Sequence, residues 1–458
     1  MFQKNAQALL DFIEKSPCSY QVIETMKKDL EAAGFQRLQE QNPWKLQPGG
    51  AYYVTRNDSS LIAFRMPENR SFRGFQIIAS HSDSPSPRVK ENPALGSEGC
   101  YTRLNTEKYG GMILSTWLDR PLSVAGRLVV RETRDGQTTL RTVPVHVDRD
   151  LVLIPSLAIH MNREANQGYT FNPQTDLLPL FGSDGAKSAL PAILAKAAGV
   201  SSEAVVSSDL FVYNRQKGSI WGADCEYLSS PRLDDLECAY GSLRGILAAG
   251  RSAHEEDLPT SRSENVCVHC VLDNEEVGSG SRQGAASTFL KDTLRRISQE
   301  SASEDADAWR EEDYLRQVAG SFLISADNAH AVHPNKGEKA DPVNRPHMNE
   351  GVVIKFSGNQ SYTSDGLSAA VLRCLCEKAD VPVQVFTNRS DAPGGSTLGN
   401  ISTAQVPVCS VDIGLPQLAM HSAYETAGVK DITWLIRLAE TFFTSTVEVT
   451  ADGRLSIR

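Results

Sequence analysis

Five stretches of the chain put Asp, Glu or His into a polar turn, most of them directly behind an apolar run. They are IIASHSDSP with His81 and Asp83, SPRLDDLE with Asp234 and Asp235, VLDNEEVGSG with Glu275 and Glu276, FLISADNAH with Asp327, and LAMHSAYE with His421. Carboxylates inside a dry strand are costly. Carboxylates at strand ends along one rim of a sheet can instead converge on cations. Two histidines with several carboxylates are the donor set of a divalent site, zinc first, with manganese or cobalt as alternatives. Taken singly, each turn has a simpler explanation: a histidine after a strand usually caps or hydrogen-bonds, and an aspartate usually shapes the turn. Five such turns at equivalent strand ends are harder to explain one at a time. Glu275 and Glu276 raise a question of their own. An extended backbone would point them opposite ways, one toward a cation and one toward a reacting water. The residue types do not say which does which.

The elements that must position these groups are legible as texture. Residues 4–16 and 20–33 read as helices, and 52–66 and 75–80 as strands. From about 98 to 155 the runs GRLVVRETR, TTLRTVPVHVD and LVLIP alternate between turn residues, which predicts antiparallel β-structure. SALPAILAKAAG follows as a helix. From about 226 the pattern returns to α/β, with helix LECAYGSLRGILAAG and strands VCVHCVLD and SFLISAD. The stretches 251–265 and 299–313 read as solvated polar segments. The expected architecture is α/β: a three-layer catalytic domain with a mixed β-sheet, residues 1–92 and 232–458, interrupted by a β-rich insertion at 93–231.

Bulk properties narrow the partners. A chain of 458 residues exceeds one small core. Its net charge of −10 gives no reason to expect a nucleic acid or an anionic membrane. No stretch approaches a membrane span, and none reads as a signal peptide. The nine cysteines are scattered and odd in number, as in reduced cytoplasmic proteins. Cys267 and Cys270 form a C-x-x-C with no second pair, inside a run that reads as a buried strand. A zinc knuckle is therefore not expected.

ASHSDSPSPRVK, SPRLDDL, DNEEVGSGS, SADNAHAVHPN, RSDAPGGSTLG and PQLAMHSAYE resemble, in order and spacing, the signature segments of the aspartyl aminopeptidase family. These are co-catalytic dinuclear zinc enzymes that remove N-terminal residues from peptides. The resemblance implies a catalytic domain interrupted by a dimerisation domain, and a tetrahedral dodecamer built from dimers. It makes His81 and Asp327 ligands of one metal, His421 and Glu276 ligands of the other, and Asp234 the bridge. It makes Glu275 the general base and Asp83 the residue that orients His81. It also gives His160, in IPSLAIHMNRE, an oxyanion role in a neighbouring subunit's site, where the residues alone suggest a locally satisfied histidine.

Lys355, in GVVIKFSGNQSY, is the candidate for recognising an acidic N-terminal side chain; a solvent-facing strand lysine is the plainer reading. The loop 389–400 with Asp391 could offer backbone N–H groups to substrate, or be a tight turn with an N-cap. His330 and His333 are expected to support the site without binding metal. The chain departs from the family in three places. Asp235 stands where Asn is common, a Cys often found in the DAPGGST segment is absent, and AYE replaces a commonly basic tripeptide after His421. The competing functional readings are a related aminopeptidase with neutral or broad preference, and a self-assembling scaffold or cargo protein with a structural metal site.

Overall fold

The fold is taken from a computed structural model, which describes residues 1–69, 71–250, 263–300 and 309–458. The expected solvated segments at 251–265 and 299–313 fall largely outside the described residues. The largest sheet has nine strands. In spatial order they are Gln36–Arg37, Ala51–Arg56, Ser60–Arg65, Val266–Leu272, Phe75–His81, Phe322–Ala326, Cys409–Gly414, Val352–Lys355 and Val383–Phe386. The four central strands, from Val266–Leu272 to Cys409–Gly414, run parallel. Ser60–Arg65 and Val352–Lys355 flank them antiparallel, so the sheet is mixed as expected.

Helices cover both faces. Strand Val266–Leu272 shows why: Val266, Val268, Cys270 and Leu272 enter one apolar layer, while Cys267 and Val271 enter the other. The first layer is closed by Phe289–Glu300, Glu311–Ala319 and Leu398–Gln405, and the second by Phe2–Glu14, Ser19–Ala32, Leu233–Ala248, Gly366–Ala379 and Asp431–Thr444. Cys267 and Cys270 thus lie on opposite faces, and all nine cysteines are free. The 52–66 segment is not one strand. It breaks into a hairpin with a three-residue loop, 57–59, in which Asn57 and Asp58 both take positive φ (60° and 56°), the backbone a type I′ turn demands at its central residues.

A second sheet is wholly antiparallel and takes its six strands from residues between Ser86 and Asn214. Its first strand, Ser86–Ser97, begins only five residues after His81 and runs through the expected junction near 92. LVLIP contributes only isolated bridges, Leu122 to Val152 and Leu153 to Leu180. The helix expected at SALPAILAKAAG spans Ala189–Ala198. A third sheet of five strands joins Ser219–Trp221 and Tyr227–Ser230 to the segment just beyond His421. Among the described residues no helix is long and apolar enough to cross a membrane.

The two larger sheets are tied by Gln21, whose Nε2 donates to the carbonyls of Gly126 (2.8 Å) and Val145 (3.0 Å). A Cβ on Gly126 would lie 2.0 Å from the Asp209 carbonyl oxygen of the paired strand. Gly126→Ala should therefore destabilise the chain by about 2–3 kcal/mol in denaturant unfolding, the range for a substitution that forces strands apart.

Candidate metal centre

The parallel strands end on one rim, where open α/β sheets place their ligands. Phe75–His81 delivers His81, its neighbour Val266–Leu272 leads into Asp273–Glu276, and Phe322–Ala326 leads into Asp327. Asp234 and Asp235 sit at the start of helix Leu233–Ala248 in non-helical conformations. His421 lies at φ 67° in the turn after strand Pro416–Leu418.

Nε2 of His81 is 3.4 Å from Asp234 Oδ1 and 3.8 Å from Asp327 Oδ1. Nε2 of His421 is 3.4 Å from Asp234 Oδ2 and 3.3 Å from Glu276 Oε2. Charge-assisted hydrogen bonds are shorter, about 2.7–2.9 Å. Donors held tetrahedrally at about 2.0–2.1 Å from a zinc ion stand about 3.3 Å from one another. These side chains are spaced as ligands around a common point, not as partners of each other. Asp234 shows one oxygen to each group, so the two donor sets share it. Asp235 lies within the first set as well.

The chemistry of the donors fits a cation. Both imidazoles donate Nδ1–H to a carbonyl, His81 to Asp83 (3.0 Å) and His421 to Gly111 (3.1 Å), so that in the neutral ring the Nε2 lone pair faces the carboxylates. Asp234 Oδ1 and Glu276 Oε1 are buried without a hydrogen bond. Burial disfavours a proton on His81, yet Asp234, Asp235, Asp327 and Asp83 outweigh it and hold its pKa well above the ordinary value. Burial, with the Asp234 charge behind it, pushes Glu276 well up. Without added positive charge the cluster must take up protons, and divalent cations would supply that charge.

Glu275 differs from its neighbour. The pair forms a 3-10 turn, Glu275–Val277, not the extended stretch expected. Successive side chains still diverge in such a turn. Glu275 bonds through its backbone only, its N–H donating to Asp83 and its carbonyl accepting from Gly278, and among the described residues its carboxylate has no hydrogen-bond partner. Burial first, then Asp327, Asp83 and Asp234, push its pKa up to about 8. Asp83 is the hub below: its oxygens accept the N–H groups of Glu275 (3.1 Å) and Glu276 (3.2 Å) and the hydroxyl of Tyr109 (2.7 Å).

Residues 12–443 match the family model of the aminopeptidase I zinc metalloproteases, M18. The chain belongs to this family. It is similar to the probable M18 family aminopeptidase 2 of Clostridium novyi (strain NT), with 45% identity over 447 residues, covering 96% of this chain and 98% of that one. The corresponding protein of Pseudomonas fluorescens (strain SBW25) is 39% identical over 446 residues, with 96% and 98% coverage. Among solved structures, the fold is similar to a cryo-EM structure of the Ape4 and Nbr1 complex (TM-score 0.89, 35% identity, 97% of this chain and 86% of that chain). It is also similar to the S. cerevisiae mApe1 dodecamer (TM-score 0.82, 27% identity, 96% and 97%). The protein is thus an M18 zinc aminopeptidase, a hydrolase, with the mixed α/β fold of that family.

Two of the expected M18 site residues stand differently from the cluster. His160 is exposed and makes no hydrogen bond or ion pair within the described chain, beside exposed Ile159 and Met161. Lys355 is 2% exposed, so it does not face solvent. Its Nζ lies 3.2 Å from the carbonyls of Asp327 and Asn328 and 3.6 Å from Asp327 Oδ2. An ammonium has three hydrogens, and two of them go to the backbone carbonyls of Asp327 and Asn328. Asp391 is gripped by Arg389 through two bonds (2.9 and 2.8 Å) and caps no helix; Thr397 precedes helix Leu398–Gln405. His333 accepts from the Asn335 N–H in its turn, and His330 packs against Phe386 with ring centroids 6.0 Å apart.

Sequence reasoning missed two M18 site residues. Glu425 accepts the N–H groups of both His421 (2.7 Å) and Asp234 (3.1 Å). It is the glutamate of the AYE tripeptide, so a buried anion four residues after the histidine was the available signal. Tyr109 gave none, because its partners lie far away in sequence.

Proposed function

We propose that this M18 enzyme removes N-terminal residues, preferentially Asp or Glu, from peptides at a centre of two divalent ions, zinc first with manganese or cobalt as alternatives. His81 and Asp327 would hold one ion, His421 and Glu276 the other, and Asp234 both. The observation that carries this reading is the division of Asp234, with Oδ1 toward His81 and Oδ2 toward His421 at the same 3.4 Å. When bound, the ions would polarise the scissile carbonyl, acidify water and receive the free amino terminus.

The chain's own residues supply the rest. Glu275, whose carboxylate has no hydrogen-bond partner among the described residues, takes a proton from the attacking water as the water oxygen bonds to the scissile carbon. It then delivers that proton to the departing amine as the C–N bond breaks, and returns as carboxylate. Asp83 holds the His81 ring and the glutamate turn in register throughout. His160, without a hydrogen bond or ion pair among the described residues, is assigned the oxyanion contact in a neighbouring subunit. Its exposed apolar surroundings support burial by another copy. We assign the dodecameric assembly on the likeness to the mApe1 dodecamer, and a cytoplasmic location on the nine free cysteines.

Lys355 favours a second reading. Its ammonium is buried and bonded to the carbonyls of Asp327 and Asn328, which speaks for a neutral or broad N-terminal preference. A panel of Asp-, Glu- and Leu-terminated chromogenic substrates, with metal analysis of the same sample, decides both points. The acidic reading expects kcat/KM at least about tenfold higher on Asp and Glu than on Leu. The dinuclear reading expects about two divalent ions per chain, and one or none would refute it.

A further inference from the structure

A segment without any metal-ligating side chain touches both halves of the centre. Tyr109 ends strand Tyr101–Tyr109 of the six-stranded sheet, and Gly110 and Gly111 follow it. The Tyr109 hydroxyl donates to Asp83 Oδ2 (2.7 Å) and accepts from Asn274 Nδ2 (2.9 Å). Asp83 in turn receives the N–H groups of Glu275 and Glu276, while Asn274 is the residue that starts their turn. One phenol therefore closes a ring of bonds around the glutamate pair. Two residues on, the Gly111 carbonyl takes the Nδ1–H of His421 (3.1 Å), and the Ile113 N–H donates to the His421 carbonyl (3.0 Å). Space is tight along the segment. A Cβ on Gly110 would lie 3.2 Å from Glu276 Cβ, and one on Gly111 would lie 2.9 Å from His421 Nδ1.

We propose that Tyr109, Gly110 and Gly111 form a positioning segment through which the six-stranded sheet sets the aim of Glu275 and of His421. The inference rests on the reading of Glu275 as the base. The Tyr109 ring is buried and packs edge-on against Phe211, centroids 5.3 Å apart, while the direction of its hydroxyl is set by its bonds to Asp83 and Asn274. A tyrosine that only filled space would need the ring and not the hydroxyl.

Tyr109→Phe keeps the ring and removes the hydroxyl. Its kcat should fall about 10- to 100-fold with zinc content unchanged, and KM should stay within about threefold. Amide exchange of the peptide spanning 272–280 should quicken, in zinc-loaded and zinc-stripped protein alike. Phe211→Leu alters the ring's packing and spares the hydroxyl, so its kcat should stay within about twofold. Gly111→Ala should weaken zinc binding about tenfold in chelator competition, with no substrate present. Wild-type kcat in Tyr109→Phe, an equal loss in Phe211→Leu, or unchanged zinc affinity in Gly111→Ala would each overturn the proposal. Glu275→Gln run alongside separates the failures. Full turnover there refutes the base itself, whereas its loss beside wild-type turnover in Tyr109→Phe refutes only the positioning segment.

Discussion

Glu275→Gln should lower kcat by about 10²–10⁴-fold while the protein keeps its full metal content. The amide has nearly the shape of the carboxylate and cannot accept the water's proton at neutral pH. Because Glu275 is bonded through its backbone N–H and not through its carboxylate, the Asp83 hub is left intact. Glu276→Gln makes the same single exchange, one carboxylate oxygen for an NH₂, in the neighbouring side chain. It should release metal, because Glu276 Oε2 faces His421 Nε2 at 3.3 Å. Metal analysis of the two variants after dialysis therefore reads the division of labour directly, and metal loss from Glu275→Gln would exchange their roles.

Asp234→Asn should be the most damaging single change to the centre. An asparagine keeps one oxygen and puts an NH₂ where the other stood, so one donor group loses its shared member whichever way the amide turns. The negative charge between the groups is lost as well. Neighbouring cations repel, and a carboxylate between them offsets that repulsion. Metal content should drop to one ion per chain or fewer. Losing several kcal/mol of transition-state charge stabilisation corresponds to about a 10³-fold fall in kcat/KM or more. Elemental analysis with kinetics at fixed zinc checks both. Two ions retained with near-normal turnover would show that Asp234 bridges nothing.

The central strands were legible because each carries its own signal. GFQIIASH and VCVHCVLD are short apolar runs ending in polar turns, and they pair as parallel neighbours through most of their length. The candidate donors stood out only jointly: a carboxylate or histidine behind one such run has an ordinary turn role, but five such turns at equivalent strand ends are not explained that way. The two-lobed texture was visible, but the start of the six-stranded sheet was not, since SPRVKENPALGS looks like a proline-rich turn and forms strand Ser86–Ser97. Lys355 was misjudged in the plain reading because a lone lysine in VVIK gives no hint of what faces it. Only the fold reveals the carbonyls of Asp327 and Asn328 at its tip. Tyr109 was invisible for a similar reason. Its partners Asp83 and Asn274 stand on opposite sides of it in sequence, 26 and 165 residues away, and no local pattern records such a meeting.

The candidate donors are spread from His81 to His421, and contacts between distant parts of the chain hold them: Glu276 through Asp83, Asp327 through Lys355, and His421 through Gly111. A ribosome making this chain releases these residues one at a time, with His421 the last of them. Until then the incomplete centre presents at most one side of its paired donor set. A peptidase that could cut the nascent chains beside it would thus acquire its chemistry only after its own translation has passed His421.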